Sequence, residues 1–397
     1  MSEANNSTNG IYDYAVVGSG LTGLTAALAL AEIARSQGKR LVHVAPRNEG
    51  QDGRTTALLM PSIRMLENMN VWDDVADESA ELQTMRLVDG SKRLLRAPLT
   101  DFRSSELNID AFGYNIPNAK LGVALEAKLT GHESVDRLEG MVAHADCGAD
   151  GVTLTLDSGA VVHAQTVAAA DGRNSPLREA AGIGVREWSY PQTAIVMNFQ
   201  HSLPHNGVST EFHTETGPFT QVPLPPLPET RHRSSLVWVV RPEQVDEILA
   251  METNAMALMV EEKMQSMLGR ITIENQPQTF PLKGMVAKRF MVNNVALLGE
   301  AAHVFPPIGA QGFNLGLRDV EAFADAVSKG SSVEMRYNAN RLGDVVTRTG
   351  AVDLLNRSLL IDFLPVQAAR AIGLAAVGQL GWLRRQLMQR GLGAKVA

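Results

Sequence analysis

"YDYAVVGSGLTGLTAALALAEIARSQGKRLVHVA", Tyr12 to Ala45, is the stretch on which the fold turns. Tyr12 to Val17 is an apolar run of strand length. Leu21 to Gly38 has helical composition, with Gly38 as the stop signal. Arg40 to Ala45 is a second apolar run. Strand, helix and strand in so short a span imply a βαβ unit and a parallel sheet. The first junction reads Gly18-Ser19-Gly20-Leu21-Thr22-Gly23, a G-x-G-x-x-G. Gly18 permits the tight turn, Gly20 lets backbone approach a pyrophosphate, and Gly23 lets the helix sit close to the strand. The helix start offers free N–H groups and partial positive charge to the anion. In isolation these glycines could merely make a turn. Their place between strand and helix favours a dinucleotide, without separating NAD from FAD. A carboxylate some 20 residues on should hold the adenosine ribose, but the second strand ends His43-Val44-Ala45-Pro46-Arg47. Glu49 and Asp52 come a little later. Arg47 faces a phosphate or, on the simpler reading, water.

Outward from this unit, residues 61–80 look helical and 84–97 look like a hairpin. Ala119 to Leu129 reads as a helix, and Val152 to Val167 as a hairpin around Asp157-Ser158-Gly159. From about 186 to 282 the pattern becomes polar–apolar alternation broken by "PLPPLPETRHR", which implies a mostly β segment. "NVALLGE" returns to a buried strand, and beyond Asp319 the chain looks helical to its end.

The bulk numbers bound the function. The chain has 397 residues, 45% hydrophobic and 20% charged, with 36 basic and 43 acidic residues and a net charge of −7. That balance disfavours nucleic acid as a partner. Cys147 is the single cysteine, which excludes an intrachain disulfide and a Cys-rich metal site and fits a reducing compartment. No apolar run is long enough for a transmembrane helix. Met1 to Gly10 is polar and lacks the order of a signal peptide. The expected location is cytoplasmic, and no metal is expected.

Two further motifs carry chemistry. Ala170-Asp171-Gly172-Arg173-Asn174-Ser175-Pro176-Leu177-Arg178 follows the apolar "TVAAA", so Asp171 sits at a strand end and opens a helix. Ser175 could cap that helix, and Asp171-Gly172 could be only a turn. The second is "ALLGEAAHVFPPIGAQGFNLGLRD", Ala296 to Asp319. Gly299 and Glu300 end a strand, and His303 lies in the turn that follows. Pro306 and Pro307 stiffen the loop. Gly309, Gly312 and Gly316 allow backbone to press against something flat before a helix begins. N–H groups at that helix start can stabilise an anionic ring or an oxyanion. His303 reads as structural sooner than catalytic. There is no nucleophile elbow, H-E-x-x-H or P-loop, so hydrolase, zinc-protease and NTPase readings lack support.

In this order and spacing the motifs resemble the FAD-dependent aromatic hydroxylases of the para-hydroxybenzoate hydroxylase fold, nearest the branch that hydroxylates ubiquinone precursors. "GEAAHVFPPIGAQGFNLGLRD" is similar to that branch's G-D-A-A-H…P…G-Q-G-x-N-x-G-x-x-D signature. "ADGRNSPLRE" and "DGRTTAL" (Asp52 to Leu58) resemble its A-D-G-x-x-S-x-x-R and D-x-R-x-x-A-L segments. The resemblance implies an α/β fold: a Rossmann-like FAD-binding domain (1–80, 110–185 and 283–345) interleaved with a mostly β substrate domain (81–109 and 186–282), then C-terminal helices (346–397). It implies that Gly18, Gly20 and Gly23 contact the FAD pyrophosphate and that Arg54 lies along the flavin groove. Asp171 and Gly172 would support FAD and NAD(P)H. Gly299 and Glu300 would sit at the pyrophosphate and ribityl chain, with Gly312 and Asn314 also at the cofactor. Pro306, Pro307, Gly309, Gln311 and Gly312 would border the isoalloxazine where oxygen reacts. The family usually has Asp where this chain has Glu300. The implied reaction is ring hydroxylation of a polyprenylated ubiquinone precursor with NAD(P)H and O₂, through a flavin C4a-hydroperoxide.

Three rivals stay open: a hydroxylase of a soluble aromatic acid, an isoprenoid-lipid reductase, and a non-catalytic scaffold subunit of a biosynthetic complex. From Phe363 to Ala397 there is no acid, but Arg370, Arg384, Arg385, Arg390 and Lys395 stand among Leu374, Val377, Leu380, Trp382, Leu383, Leu387 and Met388. Such a basic amphipathic helix either lies on a membrane or partner, placing the protein peripherally at the inner membrane, or packs on the body with a solvated basic face.

Overall fold

The structure is a computed structural model that describes residues 10–47, 53–90, 98–230, 232–306, 311–360 and 380–392. The chain begins with strand β1 (Gly10–Val17), helix α1 (Leu21–Gln37) and strand β2 (Leu41–Ala45). Next come β3 (Thr55–Leu59), α2 (Met60–Asn68), β4 (Ala80–Glu81), β5 (Thr84–Asp89), β6 (Thr100–Arg103) and β7 (Gly113–Pro117). Helix α3 (Asn118–Thr130) leads to β8 (Val135–Glu139), β9 (Val142–Gly148), β10 (Gly151–Leu156), β11 (Val161–Ala169) and the short α4 (Pro176–Ala180). The middle of the chain holds β12 (Val185–His201), β13 (Val208–Thr214), β14 (Gly217–Leu224), β15 (Arg233–Val240), α5 (Val245–Leu249), α6 (Thr253–Lys263), β16 (Ile271–Ile273) and β17 (Gln278–Ala287). After β18 (Met291–Val292), β19 (Val295–Leu297) and β20 (His303–Val304) come three helices: α7 (Gln311–Ser328), α8 (Val333–Leu360) and α9 (Gly381–Leu392).

One sheet runs β18-β19-β11-β1-β2-β8, with β10 and β9 continuing from β11. Its β19, β11, β1, β2 and β8 are mutually parallel, the outcome expected of the opening βαβ unit. Val16, Val42, Val44, Ala168 and Leu297 are fully buried in it. Parallel strands covered on both faces read as apolar runs for this reason. α1 and α3 pack together against this core.

The second sheet runs β20-β17-β12-β15-β14-β13-β5-β6. It is antiparallel except where β13 meets β5. One face carries Ile195, Met197, Phe199, Phe219, Leu236 and Trp238, buried against Ile248 of α5 and Met256 and Val260 of α6. A small third sheet joins β3, β7 and β4.

Several expectations need correction. β5 pairs with β6, so that hairpin closes at Arg103 rather than at 97. The helix expected over 61–80 stops at Asn68, where Asn70 takes φ 55°, and two 3₁₀ turns and β4 follow. α8 is continuous from Val333 to Leu360, so a boundary at 346 falls inside a helix.

Candidate active site

Three segments far apart in sequence meet at the C-terminal edge of the parallel sheet. Gly18 has φ +136°, and a Cβ there would run into the Ala170 carbonyl oxygen. The first glycine turn therefore lies directly against the start of the Asp171 motif. A Cβ on Gly23 would strike the Gly18 carbonyl, which is why helix and strand approach so closely. Gly299 (φ +59°) and Gly316 both face Thr22 of α1, each with its Cβ position 3.0 Å from the Thr22 Oγ1. The third segment is drawn to the second by Arg178, whose Nη1 donates to the Ala301 carbonyl at 3.0 Å and the Arg173 carbonyl at 2.9 Å.

Within this junction some groups stay open. A Cβ on Gly20 would meet nothing within 4 Å. α1 has no side-chain cap and no acid in its first turn, so its N–H groups face the space above Gly20. Asp171 accepts from the Leu177 N–H through Oδ2 (3.2 Å), while its Oδ1 is shielded from solvent and has no partner. Burial raises its pKa above the ordinary carboxylate range, against the opposing hydrogen bonds from Ser175 and Leu177. Ser175 caps α4 by accepting from the Arg178 N–H at 2.9 Å. Gly172 takes φ +86° with no neighbour near its Cβ position. Glu300 is exposed within a 3₁₀ turn, Gly299 to Ala301, and is not at a strand end, because β19 stops at Leu297.

The Gly299 turn is held from below by a buried charge network. Oδ2 of Asp319 accepts from the Gly299 N–H (2.9 Å) and lies 2.6 Å from His303 Nε2. Oδ1 of Asp319 accepts from Arg341 Nε at 2.7 Å. Arg341 also donates to Asp344 (2.8 Å), which binds Arg318 and Arg348 as well. His303 is thus structural: it sits in β20, not in a free turn, and stacks on Phe305. Asn314, expected at the cofactor, spends its amide on the polypeptide. Its oxygen accepts from the Leu59 N–H (2.9 Å) and Ser62 hydroxyl (2.7 Å), and its Nδ2 donates to the Ala57 carbonyl (2.8 Å). Pro306 ends the described loop. Pro307 and Gly309 lie outside the described residues, as do Glu49 and Asp52 and the Gln311 side chain. Gly312 is exposed in the first turn of α7.

The second sheet turns its other face toward this junction. Segment 53–55 covers part of it: Asn198 Nδ2 donates to the Gly53 carbonyl (3.2 Å) and Thr55 Oγ1 to Ser235 Oγ (3.1 Å). Further along, Ala194 and Val239 are buried with Tyr190, whose hydroxyl donates to Asp353 of α8 at 2.6 Å. Between these two contacts runs the row Val196–Val237–Thr220, in register and only half-buried. Phe280 lies beside it, with the exposed Arg54 guanidinium 5.8 Å from its ring centre. Sequence reading singled out none of these wall residues. It also missed His43, a polar side chain in a buried strand, whose Nε2 lies 2.9 Å from the Gly18 carbonyl.

A glycine-lined anion cradle beside an unpaired buried carboxylate oxygen, facing a half-open apolar sheet, suits a flavin dinucleotide and a flat ring, as in an FAD-dependent aromatic hydroxylase. The chain belongs to that class. The family model described as the FAD binding domain matches residues 12–330, and the relatives place it with the ubiquinone branch. It is 32% identical to Ubiquinone hydroxylase UbiL of Rhodospirillum rubrum, over 98% of this chain and 91% of that protein. It is 29% identical to 3-demethoxyubiquinol 3-hydroxylase of Escherichia coli, over 97% and 100%. Among solved structures, p-nitrophenol 4-monooxygenase from Pseudomonas putida shares the fold, with a TM-score of 0.78, 19% identity and coverage of 98% and 99%.

Proposed function

We propose that this chain hydroxylates the aromatic ring of a polyprenylated ubiquinone precursor, using NAD(P)H and O₂. The observation that carries the reading is the convergence of Gly18–Gly20, Asp171 and Gly299–Glu300 at one edge of the parallel sheet. Bound FAD supplies two-electron reduction by NAD(P)H and activation of O₂, one atom going to the ring and the other to water. The protein does the rest. N–H groups at the start of α1 take the pyrophosphate, with Gly20 leaving the space it needs. Asp171 Oδ1 accepts a hydrogen bond from the cofactor, ending its isolation. Glu300 reaches the ribityl hydroxyls from the Gly299 turn. Pro306 and Gly312, on either side of the residues not described, close the flavin face to water, and the first turn of α7 offers its N–H groups to anionic charge. Val196, Val237 and Phe280 form the apolar wall for the substrate ring, within a substrate unit of residues 81–109 and 186–282.

The prenyl chain implies access from a bilayer. In α9, Met388 packs on Leu59 and Phe112, and Arg384 pairs with Glu106 at 2.8 Å. Leu380, just before α9, and Trp382 (57%), Arg385 and Leu387 within it are exposed to either side of that packed stripe. A peripheral contact with an anionic bilayer fits these apolar and basic side chains. Arg370, Leu374, Val377 and Lys395 lie outside the described residues, and no described helix is long and apolar enough to cross a membrane.

The test is mass analysis of quinone lipids from cells lacking the protein, joined to an oxygen-electrode assay on the purified protein. A prenylated phenol short of one oxygen should accumulate, and that compound should then stimulate coupled NAD(P)H and O₂ consumption. Flavin reduction without O₂ uptake would mean a reductase. A protein that holds no flavin would mean a scaffold.

A further inference from the structure

The acid that ordinarily ends the second strand of a dinucleotide fold, and binds the adenosine ribose, is absent. β2 stops at Ala45 and Pro46 follows, and neither side chain has a hydrogen-bonding group. The next strand outward has one. β8 runs parallel to β2, with Glu139 in register with Ala45 at the C-terminal end of both strands. The register holds to the last residue, since the Gly140 N–H donates to the Ala45 carbonyl at 3.1 Å. From β1, which carries the glycine turn, to β8 is two strand spacings, about 10 Å, within reach of an extended adenosine unit whose pyrophosphate sits at Gly20.

Glu139 is exposed and makes no side-chain hydrogen bond or ion pair with a described residue. The other acids nearby are committed. Asp136 pairs with Arg40 at 2.9 Å. Asp157 Oδ1 accepts from the Met141 N–H (3.2 Å) and Ser158 N–H (2.9 Å). Those bonds also brace the turn after Glu139 and leave the Met141 side chain 58% exposed at the same edge. An unpaired carboxylate and a bare thioether two residues apart suit a diol and a flat base, because methionine packs readily on aromatic rings.

We propose that Glu139 and Met141 form the adenosine subsite, replacing the missing acid of β2 from the neighbouring strand. Glu139 accepts hydrogen bonds from the ribose hydroxyls, and Met141 lies against the adenine. This assignment rests on the FAD reading above.

The test is titration of the full-length apoprotein with FAD, with FMN, and with an FAD analogue lacking the adenosine 2′-hydroxyl, followed by flavin fluorescence. Glu139→Gln should weaken FAD binding about tenfold or more, the worth of a hydrogen bond to a charged group. FMN has no adenosine, so its affinity should not change. Removing the 2′-hydroxyl should cost affinity in the natural chain and little in Glu139→Gln, the signature of direct coupling. Met141→Ala should weaken FAD and spare FMN.

Equal FAD affinity in the natural chain and Glu139→Gln overturns the subsite and leaves the flavoprotein reading standing. So does an equal loss for FMN, which would mark a structural effect. So does a loss that appears instead in Glu49→Gln or Asp52→Asn. A natural chain that binds no FAD overturns both readings together.

Discussion

Gly20 and Gly23 stand three positions apart in one motif and answer to different constraints. A Cβ at Gly23 collides with the Gly18 carbonyl, whereas one at Gly20 meets no protein atom. Gly23→Ala should therefore destabilise the apoprotein by about 1–3 kcal/mol or more, as overpacking does. Gly20→Ala should leave the melting temperature unchanged and weaken FAD binding about tenfold or more through lost N–H contacts to the phosphates. Thermal melts and flavin titrations on both variants check this. Asp171 gives a pH-dependent counterpart. Its folded-state pKa is raised by burial, so the folded apoprotein holds this proton more tightly than the unfolded chain. Stability from this group thus falls as pH rises from the ordinary carboxylate pKa through the raised one. Asp171→Asn should stabilise the apoprotein at neutral pH and lose that advantage below about pH 4, while weakening FAD binding. Melts from pH 4 to 8 with and without FAD separate the two effects.

At the scale of elements, what matters is how α7 and α8 grip the Gly299 turn. Asp319 and Arg341 are both essentially buried, 0% and 2% exposed. Removing one partner leaves the other charged in a dry site, so Asp319→Ala should cost about 3–5 kcal/mol in denaturant unfolding. Replacing both by apolar residues should recover part of that loss. Asp344 carries a second signal. Burial alone would raise its pKa, but hydrogen bonds from Arg348 and Arg341 and the charge of Arg318 hold it at about 2. Its stabilising contribution is present above pH 4 and is lost as pH falls toward 2, an effect of about 2 kcal/mol. Asp344→Asn should flatten acid unfolding across that window. The sequence showed βαβ plainly, because short-range apolar runs and glycine spacing carry it. It could not show this network. Asp319 and Arg341 lie on different helices, and each looks like an ordinary charged helical residue. The 61–80 segment misled for a related reason: its apolar spacing continues past Asn70, where the backbone turns left-handed.

Across the whole molecule, the site lies where a parallel sheet meets an antiparallel one, and β3 bridges them. Its Leu59 end is tied to α7 through Asn314, and its Thr55 end reaches Ser235 of β15. The order of the three motifs along the chain was enough to anticipate the first sheet and its cofactor. Which face of the second sheet turns toward that junction was hidden. β15 reads Arg233-Ser234-Ser235-Leu236-Val237-Trp238-Val239-Val240, with an apolar run where alternation would have marked inside from outside. Only pairing settles it: Trp238 goes to the α5–α6 core, while Val237 stands half-buried toward the cofactor edge. Val237 and Val239 are two residues apart on one face, so they should respond differently to the same enlargement. At Val239, fully buried, tryptophan must overpack the core and cost about 1–3 kcal/mol or more. At Val237 it should extend into the open space, leaving melting temperature and FAD content near normal. If that space receives the substrate ring, Val237→Trp should still consume NAD(P)H and O₂ but release hydrogen peroxide in place of hydroxylated product. Product analysis beside oxygen uptake decides it: a Val237→Trp enzyme with full hydroxylation would move the ring site off this sheet.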